Sequence, residues 1–305
     1  MDGIDFLQLS LPPIVIAVLA GVACALPGNF LLLRRQSLIG DAVSHVVLPG
    51  VVGAYVLTGA MNTMPMLAGA AVAAVIAVIL IELIRRLGKI EPGAAMGVVF
   101  TTLFAAGVLW LELSHTSNVH LDVEHVLYGN LESLIWLDAE SWRSLADPAA
   151  LAFLPGQLTR LLYVLAIIVV FLVLGWRALV LGTFDPDFAA GIGARPGLFN
   201  ILLLIVVALA AVAAFEAVGA VIVVAMFICP PAAARLMTNN LRLQVWLSAL
   251  IAGIAAVSGY VLASWGPLWL GWPHSVSAAG MIAVMGGVQL ALAFAFGRHR
   301  QRPTP

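Results

Sequence analysis

The sequence predicts an all-α polytopic membrane protein with about eight or nine transmembrane helices. Of its 305 residues, 63% are hydrophobic and only 10% are charged, where soluble domains carry about 25% charged residues. The mean hydropathy of +1.09 agrees. The apolar runs are continuous, and several reach the ~20 residues that a helix needs to cross a bilayer. A β-barrel would instead show alternating segments of about 10 residues.

Taken in order, spans are expected at roughly 12–33, 41–60, 63–86, 93–113, 159–181, 198–216, 217–237, 243–264 and 275–296. The opening MDGIDF has no basic stretch, so the first run is expected to remain as a span and not to leave as a signal peptide. The stretch 198–237 reads either as two spans or as one span and a half-helix. Arg34/Arg35, Arg85/Arg86/Lys89, Arg177/Arg195, Arg235/Arg242 and Arg298/Arg300/Arg302 flank alternate span ends. The positive-inside rule makes those ends cytoplasmic. The N-terminus is then outside and the C-terminus inside, which requires an odd number of spans. Arg143 and Arg160 dissent, because they fall in or beside the long polar segment 114–158, which this topology places outside. Gly and Ala recur within the spans, as expected of membrane helices that pack closely. No repeat or separate soluble domain is visible, so 1–305 reads as one transmembrane domain.

Several function classes are excluded. Lys89 is the single lysine, and the basic tail Arg298–Arg302 abuts an apolar helix as a membrane-end anchor, so no nucleic-acid partner is expected. Cys24 and Cys229 lie in apolar runs, as inert buried thiols do. A phosphate-binding loop needs G-x-x-x-x-G-K-[ST]. Lys89 follows Gly88, but Ile90 comes next and Leu83 holds the first Gly position, so the chain has no ATP site. An H-E-x-x-H helix, the mark of a metalloprotease, is also absent.

Ionisable groups within a bilayer cost at least a few kcal/mol and are functional candidates by default. Glu82 precedes Arg85 and Arg86 by three and four residues, the spacing of a helical ion pair. Glu112 falls at the outer end of its span, where a structural role is expected. Asp41 and His45, in GDAVSHVVLPG, are four apart and share one helix face. A carboxylate and an imidazole suit Mn²⁺, Fe²⁺ or Zn²⁺; a plain Asp–His hydrogen bond between packed helices is the alternative. Pro49 and Gly50 are expected to interrupt this helix, as broken helices do where they line a cavity. Glu216, mid-run in AAFEAVGAV, reads either as a second path residue or as a neutral acid bonded to a neighbouring helix. Outside, His115, His120, Asp122, Glu124 and His125 fall within eleven residues, as a metal-attracting mouth or an ordinary polar loop. His274 and His299 are assigned to loop and tail.

Four stretches in the same order resemble a known family. RRQSLIGDAVSHVVLPGVVG (34–53), HLDVEHVLYGNL (120–131), FDPDFAAGIGARPGLFN (184–200) and AVGAVIVVAMFICPPAAARLMT (217–238) look like signatures of the integral membrane permeases of bacterial ABC importers for zinc, manganese and iron. EPGAAMGVVFTTLFAAGVL (91–109) also fits. The resemblance implies a multi-pass permease of the inner membrane, with Asp41 and His45 lining the path and able to coordinate the ion. It also implies a cytoplasmic coupling segment over 184–197, with Phe184, Asp185, Pro186, Asp187, Gly191 and Gly193 meeting an ATPase. Asp185 is placed to cap that short helix, with Pro186 at its first position. His274 and the insertion-like 138–158 depart from the pattern.

The resemblance implies the following further expectations. A dimer of ATP-binding cassette ATPases carries the ATP, and a soluble metal-binding protein delivers the ion outside. A second permease chain, identical or similar, supplies another Asp41/His45 face. No cofactor is held permanently; the metal is cargo, with Mn²⁺ first and Fe²⁺ or Zn²⁺ next. A proton-driven secondary transporter using Asp41, His45 and Glu216 is the alternative from another class.

Overall fold

The computed structural model describes residues 3–59, 63–113, 131–139, 141–269, 271 and 276–297. Among these residues there are nine helices long and apolar enough to span a membrane, and no strand. A helical turn (Gly3–Asp5) and a π-helical turn (Phe6–Ser10) lead into α1 (Leu11–Leu33). Then come α2 (Ile39–Thr58), α3 (Thr63–Gly88) and α4 (Pro92–Leu113). After short 3-10 and α turns, α5 (Gly156–Phe184), the six-residue α6 (Pro186–Gly191) and α7 (Pro196–Val218) follow. α8 (Ala220–Met237), α9 (Leu241–Trp269) and α10 (Ala278–Phe296) complete the chain. The ambiguous stretch 198–237 is therefore two helices. They part at Gly219, whose φ of +80° suits a residue without a Cβ.

The chain divides into two compact units. One comprises Met1–Asn29, Glu124–Ala166 and Ala213–Pro305. In it α8, α9 and α10 pack on one another. Pro231 in α8 has no N–H for the Phe227 carbonyl four residues back. Gly28 of α1 lies against that carbonyl: a Cβ there would sit 2.6 Å from the Phe227 oxygen. Buried side chains tie α1 to α9. Asn29 donates to the Ser248 hydroxyl at 2.7 Å and accepts from Gln244 at 3.0 Å. Such bonds hold membrane helices together at about 1 kcal/mol each. At the far end Leu7, Trp136, Ala139 and Ala150 form a small core. The π-helical turn leaves the Gln8 carbonyl to accept from the Trp136 backbone at 2.9 Å, and the Gln8 side chain donates to the Ala139 carbonyl at 2.8 Å.

The other unit comprises Phe30–Val123 and Ile167–Val212. Here α2 packs on α3 and α4. α2 is unbroken through Pro49 and Gly50, contrary to the expected interruption. The physical reason is space on the neighbours. A Cβ on Gly107 of α4 would lie 2.6 Å from the Pro49 Cβ, so the proline ring occupies a glycine niche. A Cβ on Gly50 would lie 2.6 Å from the Gly69 carbonyl oxygen of α3 and 2.7 Å from the Ala70 Cα. The Pro-Gly pair thus serves close packing on two sides, and the helix tolerates the one lost bond. Glu82, with 4% of its surface exposed, takes the ion pairs its spacing predicts, accepting from Arg85 at 2.8 Å and Arg86 at 2.6 Å.

Candidate metal path and coupling segment

Asp41 stands in the first turn of α2 and His45 one turn on. The His45 Nε2 lies 3.5 Å from Asp41 Oδ1, and each side chain is 40% exposed. That separation is longer than a good N–H···O bond of about 2.9 Å. The imidazole plane is set from the side by α4. Phe100 stacks on it at 5.2 Å between ring centroids and 24° between planes, and Phe104 meets it edge-on at 6.2 Å and 82°. The sequence reading missed these two phenylalanines, although their i, i+4 spacing in FTTLF placed both on one helix face. Pro49 adds a second polar feature. Lacking an N–H, it cannot satisfy the His45 carbonyl four residues earlier.

Glu216 lies in the other unit, near the end of α7. Arg160, in the first turns of α5, grips its carboxylate with two nitrogens, Nε to Oε2 at 3.0 Å and Nη2 to Oε1. Each side chain is about one-fifth exposed. Neither sequence reading anticipated this guanidinium partner. The pairing gives Arg160, a dissenter from the positive-inside pattern, a counterion where it stands. The signal was present as one intramembrane acid and one misplaced arginine, but nothing in their spacing of 56 residues links them.

The segment after α5 forms the short helix expected of it. Asp185 Oδ1 accepts from the Phe188 N–H at 2.9 Å, and Pro186 occupies the first helical position. Phe184, Phe188 and Ile192 are each more than half exposed, so a polar-capped turn presents three apolar side chains. Gly191 ends α6, and Gly193 turns the chain toward α7 at a φ of +80°. Asp187 lies exposed in the first turn.

His120, Asp122 and His125 of the expected outer mouth, together with His115, Glu124, His274 and His299, lie outside the described residues. Glu112 is exposed in the last turn of α4. Cys24 and Cys229 are free thiols, the first buried. Among the described residues no three His, Cys, Asp or Glu side chains cluster as a complete metal site.

This chain belongs to the ABC 3 transport family, whose model matches residues 6–139 and 149–297. The gap in the match, 140–148, falls inside the stretch 138–158 that reads as an insertion. The chain is similar to the manganese transport system membrane protein MntD of Bacillus subtilis (39% identical over 283 residues, 93% of this chain and 90% of the relative). It is also similar to the zinc transport system membrane protein TroD of Treponema pallidum (38% identical over 288 residues, 94% and 74%). Among solved structures it resembles PsaBC from Streptococcus pneumoniae in complex with Fab, with a TM-score of 0.74, 25% identity, and coverage of 98% and 96%. The chain is therefore a multi-pass permease of the bacterial inner membrane. The proton-driven secondary transporter finds no support among these relatives.

Proposed function

We propose that this chain conducts manganese(II) inward as the permease of an ATP-driven importer, with Asp41 and His45 as the ligands it offers the ion. The observation that carries this is the 3.5 Å gap between His45 Nε2 and Asp41 Oδ1 on an accessible helix face. Two ligands each about 2.1 Å from one ion lie about 3.0 Å apart at an octahedral angle and about 3.4 Å apart at a tetrahedral one, so the gap is near what a shared divalent cation requires. The gap is slightly wide for a hydrogen bond and suits a shared cation. A nitrogen and a carboxylate oxygen suit Mn²⁺, and the similarity to the manganese transport protein MntD points to the same ion.

Two donors are too few to strip an ion of water. A second permease chain, identical or similar, brings its own pair to make four. Two weakly held faces also serve release, because a path must bind loosely enough to let go. Glu216 is fully engaged by Arg160 and is better read as a helix tie than as an ion ligand. The external residues His120, Asp122 and His125 would attract the cation at the mouth, where a soluble metal-binding protein delivers it.

ATP belongs to a partner ATPase dimer. The docking element for it is α6 with its flanks, Phe184 to Gly193. Asp185 fixes the turn, and the exposed Phe184, Phe188 and Ile192 give an apolar contact of the kind that marks a protein interface. Zinc is the second reading, favoured by the similarity to TroD and by an N/O pair at tetrahedral spacing.

The test is cellular manganese, iron and zinc by elemental mass spectrometry in cells expressing the full importer. Wild type should raise one metal, manganese first, and His45→Ala should lose that rise at matched expression. Equal accumulation in the variant would remove His45 and Asp41 from the path.

A further inference from the structure

Arg34 sits just past the end of α1, and its guanidinium reaches across to two other helices. Nε donates to the Thr183 hydroxyl at 3.0 Å and Nη2 to the Leu179 carbonyl at 3.4 Å, both in the last turns of α5. Nη1 donates to Asn200 Oδ1 at 2.6 Å, in the second turn of α7. Thr183 lies two residues before Asp185 and Asn200 four after Pro196. The two helices that suspend α6 are therefore clasped by one planar fork.

On its other side Arg34 opens the linker to α2, and this linker is built stiff. Arg34 N–H donates to the Phe30 carbonyl at 3.0 Å, Arg35 to Leu32 at 3.1 Å and Gln36 to Leu31 at 2.8 Å. Ile39 then donates to Gln36 at 3.1 Å and Ala42 to Leu38 at 3.0 Å. Arg35 holds a φ of 57°, uncommon for a residue with a Cβ, and Gln36 is buried to 6% exposure. Backbone bonds thus tie this linker to the end of α1 on one side and to the turn that bears Asp41 on the other. Burial lowers the Arg34 guanidinium to about 10, against the attraction of nearby Glu82, so it stays charged at neutral pH.

We propose that Arg34 is the positioning residue that ties the α6 segment to the Asp41/His45 face, so that movement of α5 and α7 at the ATPase displaces α2. This rests on the coupling reading of α6 given above. A guanidinium suits the task because its donors are fixed in one plane and serve three acceptors on two helices at once. A lysine at 34 keeps the positive charge that orients the span and balances Glu82, but as a point charge it cannot bridge both helices.

The experiment uses the whole importer, this chain with its ATPase and second permease chain, in proteoliposomes loaded with ATP on the cytoplasmic side. Manganese(II) uptake and ATP hydrolysis are measured together for wild type, Arg34→Lys, and the pair Thr183→Val with Asn200→Leu. The expected result is ATPase co-purification and hydrolysis as in wild type, with metal moved per ATP lower by about tenfold in both variants, a coupling change of ordinary size. Unchanged metal per ATP in both variants overturns the proposal. Should Arg34→Lys fail to assemble, the Thr183/Asn200 pair decides by the same ratio, because it leaves Arg34 in place. A Phe188→Cys cross-link to the ATPase separates the two layers. No cross-link in otherwise wild-type importer sinks the coupling reading and this proposal with it. A cross-link with an unchanged ratio sinks this proposal alone.

Discussion

Gly50→Ala is expected to destabilise the chain by about 2 kcal/mol and to slow metal uptake. A Cβ at this position would stand 2.6 Å from the Gly69 oxygen, 2.7 Å from the Ala70 Cα and 2.8 Å from the Ala73 Cβ. Comfortable carbon contacts lie at about 3.5–4.0 Å, so α2 and α3 must part by about 1 Å. None of the three atoms is the tip of a flexible side chain, which puts the cost near the top of the ~1–3 kcal/mol range for overpacking. The better helix propensity of Ala returns about 1 kcal/mol. α2 carries Asp41 and His45, so the same displacement moves the ligand pair. Gly97→Ala is the matched control, since a Cβ there meets nothing within 4 Å. It should leave stability unchanged or raise it by up to about 1 kcal/mol. Unfolding in mixed micelles with rising denaturing detergent, followed by circular dichroism, measures both. Gly50→Ala unfolding together with or after wild type would refute the packing argument, as would equal shifts in the two variants.

Other expectations concern single side chains. Removing either partner of the Arg160–Glu216 pair should cost about 3 kcal/mol by leaving a charge without its counterion, whereas the Arg160→Leu/Glu216→Leu double variant should recover most of it and still import metal. A double variant that is stable yet inactive would return Glu216 to the path. Phe100→Ala should raise the KM for metal uptake about fivefold, the loss of about 1 kcal/mol of ring stacking on His45. Phe100→Tyr should restore wild-type uptake, and an unchanged KM in Phe100→Ala would show that the imidazole is oriented without the ring.

What the sequence determined by itself is what depends on solvent and on near neighbours. Continuous apolar runs specify membrane helices because the bilayer leaves the backbone no other way to pair its polar groups. Glu82 with Arg85 and Arg86, and Asp185 with Pro186, are contacts within three or four residues, so spacing was enough to predict them. The Asp41/His45 pair is of the same kind. The tertiary structure decided whatever depends on a second helix. Pro49 looks like a break until Gly107 supplies a niche for its ring and Gly50 a seat against Gly69. Glu216 looks like an isolated acid until Arg160 arrives from another span. The planes of His45, Phe100 and Phe104, and the reach of Arg34 to Thr183 and Asn200, are likewise set by which helix packs beside which. In a membrane that choice turns on close packing and single polar bonds between helices, not on an apolar pattern. Every span here is apolar on most faces, so hydropathy alone does not say which face meets which neighbour.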